Sequence, residues 1–521
     1  MHCLKKITRL VFILFLLLFY TSLNSQTIPL EGLRSITPDE MKQHVYVLAS
    51  DGMKGRDTPS TELDSCADYI AREFKSYGLT DPDQDNNYFQ YFNTLKTHLS
   101  EPNILILTSQ EVKEDYDLKN DFVPLHLTAN KRLTNVDIVF AGYGITAPEL
   151  KYDDYKNIDV NGKAVLIFKG EPQEDDTSSI FSGVKETDHA KVRIKVENAR
   201  DHGAVAVILA NHPTSPFRRP PNHWPSLLRH SLKDAVPLTL EESAEKKIVC
   251  VNIGRKLTED IFENTEQDYK AIFEKIDTDL QPRSFAIKEK KITVETNLKA
   301  DRKQTQNVVG YLEGYDEELK KELVVIGAHY DHVGTRNDTI VYNGADDNAS
   351  GTAGVLEIAE AFGSCSSRPK RSLLFITFAG EEKGLFGSRY YADNPLFPIE
   401  NTVAMLNLDM ISRNDSNEVA IIGSGTSSDL KEINEMVNEN INMDLAYDQE
   451  VYFRNSDHYS FYSKDVPVLF YNTKSTPDLH QPTDDPEKII PEKMAKIGKL
   501  IFSTAWVVAN KTERPNFSVI K

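Results

Sequence analysis

Histidine and acidic residues recur in the C-terminal half of this 521-residue chain, in segments that could meet at one place. They are His329 with Asp331, Asp346 with Asp347, Glu381 with Glu382, Asp409 and His480. Each of them alone is typical of a hydrogen bond, a helix cap or a turn. Together they offer imidazole nitrogen and carboxylate oxygen, a donor set that zinc accepts. The sequence therefore predicts a zinc site if the fold brings these segments together.

Apolar runs that end just before these residues predict the elements that position them. The runs are Leu323–Ala328, Leu373–Ala379, Val403–Leu408 and Val466–Tyr471. Continuous apolar runs of this kind favour strands buried on both faces of a mainly parallel sheet. With a helix predicted at Ser350–Phe362, the fold class is α/β, with a mainly parallel central sheet and helices on both faces. Active sites of open α/β sheets lie beyond the carboxyl ends of the strands, where the histidines and acids follow.

The charge of this donor set indicates how many metal ions it suits. One ionised carboxylate from each of three acidic segments gives three negative charges. A single Zn²⁺ leaves part of this charge uncompensated, whereas two Zn²⁺ with one hydroxide neutralise it. Two metals roughly 3.5–4 Å apart can share a carboxylate and a water. The residue types therefore favour two zinc ions.

Five motifs carry a resemblance to a known family. They are HYDHVG at His329–Gly334, GADDNASG at Gly344–Gly351, FAGEEKGLFGS at Phe378–Ser388, NLDMI at Asn407–Ile411 and SDHYSF at Ser456–Phe461. On these motifs, residues 26–521 resemble the dizinc exopeptidase family that contains secreted bacterial aminopeptidases, glutamate carboxypeptidase and the transferrin-receptor ectodomain. The resemblance implies the zinc exopeptidase fold and two Zn²⁺ as cofactors.

The resemblance also implies roles for the ligands. Asp347 matches the carboxylate that bridges the two metals, and a shift by one residue would exchange it with Asp346. His329 and Asp409 would complete one zinc site. The implied ligands of the other zinc are Glu382 and His480, with His458 in SDHYSF as a rival to His480.

Two further acids have implied roles beside the metals. Glu381 matches the general base, and Asp331 matches the acid that orients His329. The family often has a tyrosine directly before the last metal histidine, but this chain has Leu479 there. Tyr459 or Tyr471 would have to assist the oxyanion instead.

The middle of the chain is predicted to form a separate β-rich module. Short β-like runs lie at Val136–Phe140, Ala164–Phe168, Val205–Leu209 and Ile248–Ile253, with a helix at Ala190–His202 that ends at Gly203. The segments around His212, His223 and His230 have no acidic residues at predicted strand ends that could bind a metal together with them. Structural or surface roles are therefore expected for these histidines. This segment, residues 101–290, resembles the protease-associated domain inserted in the family, which leaves residues 26–100 and 291–521 for the catalytic domain.

The N-terminus predicts export. Lys5, Lys6 and Arg9 precede the apolar run Leu10–Tyr20, and small and polar residues follow up to Ser25. This order is typical of a cleaved signal peptide, residues 1–25, and the run is shorter than the roughly 20 residues that span a membrane. We expect a periplasmic or extracellular protein with no transmembrane segment in the mature chain.

Composition excludes several classes of partner. The chain has 60 Lys and Arg against 79 Asp and Glu, a net charge of −19. This balance argues against nucleic acid and anionic membranes as main partners. After the predicted cut, Cys66, Cys250 and Cys365 remain, too few for a disulfide scaffold and odd in number, so at least one thiol is expected to be unpaired.

The expected function is therefore a secreted metallo-exopeptidase that removes N-terminal residues from peptides with a free N-terminus. A carboxypeptidase on the same fold stays open, because Arg413 and Arg454 could bind a substrate carboxylate. A single-zinc glutaminyl cyclase and a non-catalytic receptor-like relative stay open as well. The complete set of ligands and base disfavours the receptor-like protein. The sequence does not indicate an oligomeric state.

Overall fold

The computed structural model describes residues 27–82, 88–174, 176–181, 183, 187–211, 238–241, 247–337 and 339–520. The predicted signal peptide at residues 1–25 lies outside the described residues, as do the histidines His212, His223 and His230. Within the described part of the chain, no helix is long and apolar enough to span a bilayer.

The chain divides into two compact units. One consists of Met1–Thr94 with Lys303–Lys521, and the other of Leu95–Arg302. The boundaries predicted for the inserted domain, residues 101 and 290, both fall inside the second unit.

The strands and helices are as follows. In chain order the strands are β1 (Phe89–Leu99), β2 (Ile104–Ser109), β3 (Val112–Tyr116), β4 (Phe122–Pro124), β5 (Lys131–Phe140), β6 (Thr146–Ala147), β7 (Tyr152–Asp153), β8 (Ala164–Phe168), β9 (Ala206–Ala210), β10 (Leu238–Leu240), β11 (Val249–Ile253), β12 (Phe285–Thr296), β13 (Leu298–Leu312), β14 (Leu323–His329), β15 (Thr335–Arg336), β16 (Ile340–Val341), β17 (Ser372–Phe378), β18 (Thr402–Leu408), β19 (Glu418–Ile422), β20 (Asp444–Ala446) and β21 (Val468–Asn472). The α-helices are α1 (Leu30–Ser35), α2 (Pro38–Leu48), α3 (Thr61–Ser76), α4 (Val192–Asp201), α5 (Arg255–Phe262), α6 (Tyr269–Asp279), α7 (Gly351–Ser364), α8 (Phe386–Asp393), α9 (Ser428–Ile441), α10 (His458–Tyr462) and α11 (Pro491–Asn510).

The first unit is built on a sheet in which β13, β17, β14, β18, β21, β19 and β20 lie side by side in that order. The four central strands β17, β14, β18 and β21 are parallel to one another. In their register His329 pairs with Phe378, and Leu408 pairs with Tyr471. The carboxyl ends of all four strands therefore lie at one edge of the sheet.

Helices cover both faces of this sheet. The ring of Phe375 in β17 lies 6.4 Å from that of Phe74 in α3 and 6.0 Å from that of Phe362 in α7. Three residues further on, and so on the opposite face, the ring of Phe378 lies 6.0 Å from that of Phe461 in α10. The prediction of an α/β fold with a mainly parallel central sheet and helices on both faces is confirmed.

The second unit has its own sheet, with the strand order β3-β2-β12-β5-β8-β9-β11-β4. Its central strands β5, β8, β9 and β11 are parallel, and β8, β9 and β11 are buried along their whole length. The helix α4 leads to Gly203, whose φ of 88° is the left-handed conformation that favours glycine beyond a helix end. A β-rich second module is thus present as predicted.

A helix cap and the cysteines are further local features of the fold. The side chain of Thr37 caps α2 by accepting a hydrogen bond from the backbone N–H of Glu40. Cys66, Cys250 and Cys365 are free thiols, in line with the expectation of unpaired cysteine.

Candidate metal centre

The structure places the predicted ligands at the carboxyl edge of the central sheet. His329 ends β14, Glu381 and Glu382 follow β17, Asp409 follows β18, His480 lies in the loop after β21, and Asp347 lies in the turn Ala345–Ser350 before α7. The strand ends, one turn and one loop thus bring five separate chain segments to one site.

One group of ligands centres on His329. Its Nε2 atom lies 3.4 Å from Oδ1 of Asp347 and 3.4 Å from Oδ1 of Asp409. All three side chains are buried, and their donor atoms lie within 4.8 Å of one another. This spacing lets one metal ion be bound by all three.

A second group lies on the other side of Asp347. Nε2 of His480 is 3.1 Å from Oδ2 of Asp347 and 3.0 Å from Oε2 of Glu382. His332, which the sequence analysis did not select, also lies here, with Nδ1 2.9 Å from Oε1 of Glu382. His480 itself is half exposed and adopts a φ of 53°, which is uncommon outside glycine.

Asp347 faces both groups, one oxygen to each, as expected of a bridging carboxylate. Asp346 points elsewhere, because its Oδ1 accepts hydrogen bonds from the backbone N–H and the hydroxyl of Ser412 at 2.9 and 2.7 Å. The Asp484 carboxylate accepts hydrogen bonds from the backbone N–H groups of both aspartates and so fixes the turn. Asp347, and not its neighbour, therefore faces the other candidate ligands.

Glu381 lies beside the first group. Its Oε2 atom is 4.0 Å from Nε2 of His329, and its backbone N–H donates to Oδ1 of Asp331 at 3.1 Å. Burial is the main reason that the pKa of Glu381 lies well above its usual value. Asp331 also faces His329, whose Nδ1 atom is 3.2 Å from the Asp331 carbonyl oxygen and 3.7 Å from its Oδ1.

The charges in the site compensate one another. Burial opposes a charge on His329, but carboxylates led by Glu381 and Asp409 hold the pKa of this imidazole well above its usual value. Burial also opposes the charge on Asp347, yet hydrogen bonds from His329 and His480 hold its pKa well below the usual value. Hydrogen bonds to its two carboxylate partners raise the pKa of His480 to about 10.

The residues fit a divalent cation. Among the described residues, buried side-chain atoms with no hydrogen-bond partner include Oδ1 of Asp409, Oε1 of Glu382 and both ring nitrogens of His332. Buried polar atoms are normally paired, so converging unpaired acceptors indicate a cation as the missing partner. The mixture of imidazole and carboxylate is the donor set of zinc.

The structure assigns other places to the rival residues. His458 is buried in α10, where its ring stacks on Phe470 with centroids 4.6 Å apart. It belongs to none of the candidate metal groups in the part of the chain that the structure describes. The hydroxyl of Tyr471 donates to Oδ1 of Asn434 in the core at 2.7 Å, and Tyr459 packs edge-on against Phe453.

The arginines named for a substrate carboxylate have internal contacts. Arg413 donates to Oδ2 of Asp478 at 2.8 Å and lies 3.9 Å from Oδ1 of Asp484. The Arg454 guanidinium lies 5.9 Å from the ring centroid of Tyr459. Arg413 is thereby neutralised by acids of its own chain.

Sequence reasoning also missed Arg56, which holds the ligand loops together. Its fully buried guanidinium donates to the carbonyl oxygens of Tyr330, Leu48, Asn343 and Gly344 at 2.6–2.9 Å. Three of these carbonyls lie within four residues of a predicted metal ligand along the chain. An isolated arginine far away in the sequence carries no signal of this role.

Comparison with known proteins gives a family for the region of the site. Residues 307–505 match the model of Peptidase family M28. Residues 129–260 match the model of the PA domain. The two matches confirm the predicted resemblance to the exopeptidase family with an inserted protease-associated domain.

Individual relatives match over shorter stretches. A probable leucine aminopeptidase of Trichophyton verrucosum is 30 % identical over 234 residues, which cover 40 % of this chain and 65 % of that protein. Aminopeptidase YwaD of Bacillus subtilis is 29 % identical over 231 residues, covering 42 % of this chain and 48 % of that one. The chain thus spans less than two thirds of the length of these curated relatives. Among solved structures, the aminopeptidase from Aneurinibacillus sp. strain AM-1 aligns over 94 % of this chain and 96 % of that one, with 20 % identity and a TM-score of 0.47.

Replacement of the bridging aspartate should abolish metal binding. Asp347→Asn removes the charge that both ligand groups share, so we expect the purified variant to lose bound zinc in elemental analysis after dialysis. Asp346→Asn is the matched control, because an asparagine oxygen can still accept from Ser412, and it should retain the metal. Loss of zinc in Asp346→Asn with retention in Asp347→Asn would contradict this assignment.

Burial of His458 should make stability depend on pH. Burial lowers its pKa to about 3, whereas an unfolded histidine titrates near ~6.5. Between these values the unfolded chain binds the extra proton, so stability falls with decreasing pH by about 1.4 kcal/mol per unit from this group. In urea unfolding at pH 6.5 and 4.5, His458→Phe should lose less stability than the wild type. An equal loss would show that His458 does not contribute.

Proposed function

We propose that this protein is a zinc-dependent aminopeptidase with two zinc ions. The observation that carries the proposal is Asp347, whose two oxygens face separate groups of histidine and carboxylate ligands. The match of residues 307–505 to Peptidase family M28 supports peptide hydrolysis as the reaction. The aminopeptidases among its relatives support the same class of substrate.

His329 and Asp409 would hold one zinc ion, Glu382 and His480 would hold the other, and Asp347 would bind both. When bound, the two ions lower the pKa of a water and polarise the scissile carbonyl group. The protein supplies the fixed, buried surroundings in which these charges act strongly.

Glu381 is the group that moves the proton. Its carboxylate accepts a proton from the attacking water and then gives it to the leaving amine. The hydrogen bond from the Glu381 backbone N–H to Asp331 fixes this residue beside His329. Burial raises the pKa of Glu381, which favours the protonated form that the second step needs.

The site favours a substrate with a free N-terminus. A carboxypeptidase would need a basic side chain free to bind the carboxylate of its substrate. Arg413, one of the two arginines considered for that role, is instead paired with Asp478. The contact therefore supports an aminopeptidase over a carboxypeptidase.

We also propose that the protein is exported. The basic residues Lys5, Lys6 and Arg9 before the apolar run Leu10–Tyr20 support a cleaved signal peptide. Mass spectrometry of the protein recovered from the periplasm and the medium tests this. An intact N-terminus in the cytoplasm would contradict it.

A substrate panel tests the proposed activity. We expect aminoacyl-arylamides to be hydrolysed, N-blocked peptides to resist, and a chelator to abolish turnover until zinc is restored. Elemental analysis should give about two zinc ions per chain. Cleavage of N-blocked peptides from the C-terminus would indicate a carboxypeptidase. One zinc ion with cyclisation of N-terminal glutamine would indicate a glutaminyl cyclase.

Replacement of Glu381 should separate catalysis from metal binding. Glu381→Gln cannot accept a proton, so turnover should fall by about 10²–10⁴-fold while the zinc content stays unchanged. Glu317→Gln is the control, because Glu317 is an exposed acid, and it should be as active as the wild type. Near-normal activity of Glu381→Gln would remove Glu381 from this role.

A further inference from the structure

His332 lies three residues after His329 in the loop that follows β14, and it is fully buried. Its Nδ1 atom is 2.9 Å from Oε1 of Glu382 and 3.7 Å from Oδ2 of Asp347. The donor atoms of these three residues lie within 4.8 Å of one another. The ring of His332 also faces that of His480, with centroids 5.6 Å apart.

The short contact between His332 and Glu382 lacks the geometry of a hydrogen bond. Within the described chain, neither ring nitrogen of His332 has a hydrogen-bond partner, and neither has Oε1 of Glu382, although the two residues are 2.9 Å apart. Because this nitrogen and this oxygen are buried, close together and not hydrogen-bonded to each other, one cation can bind both of them. Ligands bound to one zinc ion at about 2 Å lie at such distances from each other.

The backbone holds the imidazole in this place. The N–H group of His332 donates to the carbonyl oxygen of Arg56 at 3.3 Å. Gly344 lies against the ring, and a Cβ atom there would be 2.5 Å from Cγ of His332. Gly344 has a φ of 60°, and its carbonyl oxygen accepts a hydrogen bond from the Arg56 guanidinium at 2.9 Å. The loop is therefore shaped around the histidine ring.

We propose that His332 is a ligand of the zinc ion held by Asp347, Glu382 and His480. The inference rests on the proposed function and extends its metal site. One metal position then has four protein donors, His332, His480, Glu382 and the bridging Asp347.

The two positions are unequal as a result. The other metal position has three protein donors, namely His329, Asp409 and the bridging Asp347. A four-ligand zinc is closed, whereas a three-ligand zinc leaves room for water or substrate. The zinc at His332 should therefore be the more tightly held of the two.

X-ray absorption of the zinc-loaded wild-type enzyme tests the ligand directly. We expect three imidazoles for two zinc ions, whereas a structure without His332 as a ligand gives two. His332→Asn should lower the count to two, as should His480→Asn, which removes a ligand of the same metal. A wild-type count of two would overturn the proposal.

Metal affinity distinguishes a ligand from a residue that only positions Glu382. Loss of an outer partner lowers metal affinity by about 10–100-fold. In chelator competition, we expect His332→Asn to weaken one of the two zinc ions by more than about 100-fold. His332→Cys, which keeps a zinc ligand, should restore binding and add one sulfur neighbour to the absorption spectrum. A smaller loss in His332→Asn, or no sulfur in His332→Cys, would assign His332 a positioning role only.

The wild-type measurement separates the two proposals. If the wild type binds no zinc, or only one ion, the proposed function fails together with this inference. If it binds two zinc ions with two imidazoles, the proposed function stands and the assignment of His332 is wrong.

Discussion

Burial of several carboxylates at one edge of a sheet is the constraint on which the rest of this structure depends. Asp331, Asp347 and Asp409 are buried, and Glu381 and Glu382 are nearly so. Two like charges 4 Å apart repel by about 4 kcal/mol at an effective dielectric constant of 20. Such a cluster is stable only with compensating positive charge, which the surrounding histidines supply in part. A bound cation would offset the remaining negative charge, so the electrostatics of the fold favour a metal at this edge.

The cluster is held by backbone contacts more than by its own side chains. Arg56 donates to carbonyl groups of the two loops that carry His329 and Asp347. Asn348 joins the turn to the end of β18, because its amide donates to the Leu408 carbonyl and its oxygen accepts from the backbone N–H of Met410. These contacts fix the backbone that carries the candidate ligands. Pre-organisation of this kind lets a site select geometry as well as charge.

The sequence predicts the strands well and the loops only in part. The run Ala164–Phe168 has the bounds of β8, and Val403–Leu408 differs from β18 by one residue, because burial on both faces favours apolar residues along most of a strand. The ligands at strand ends follow from that placement. The position of His332 cannot be predicted from the strands, since it depends on a loop that folds back onto Glu382. Whether Asp346 or Asp347 faces the other candidate ligands likewise depends on the backbone of a turn, which no periodicity encodes.

The neighbouring residues Glu381 and Glu382 lie in different surroundings, which shift their pKa values in opposite directions. Glu382 faces His332 and His480, and despite its burial these contacts hold its pKa below the usual value. Burial raises the pKa of Glu381, which has Asp409 and Asp457 as acidic neighbours. Environments that push apart the pKa values of neighbouring acids separate their roles. The charged form of Glu382 and the protonated form of Glu381 are thereby favoured, in line with their proposed roles as metal ligand and proton carrier.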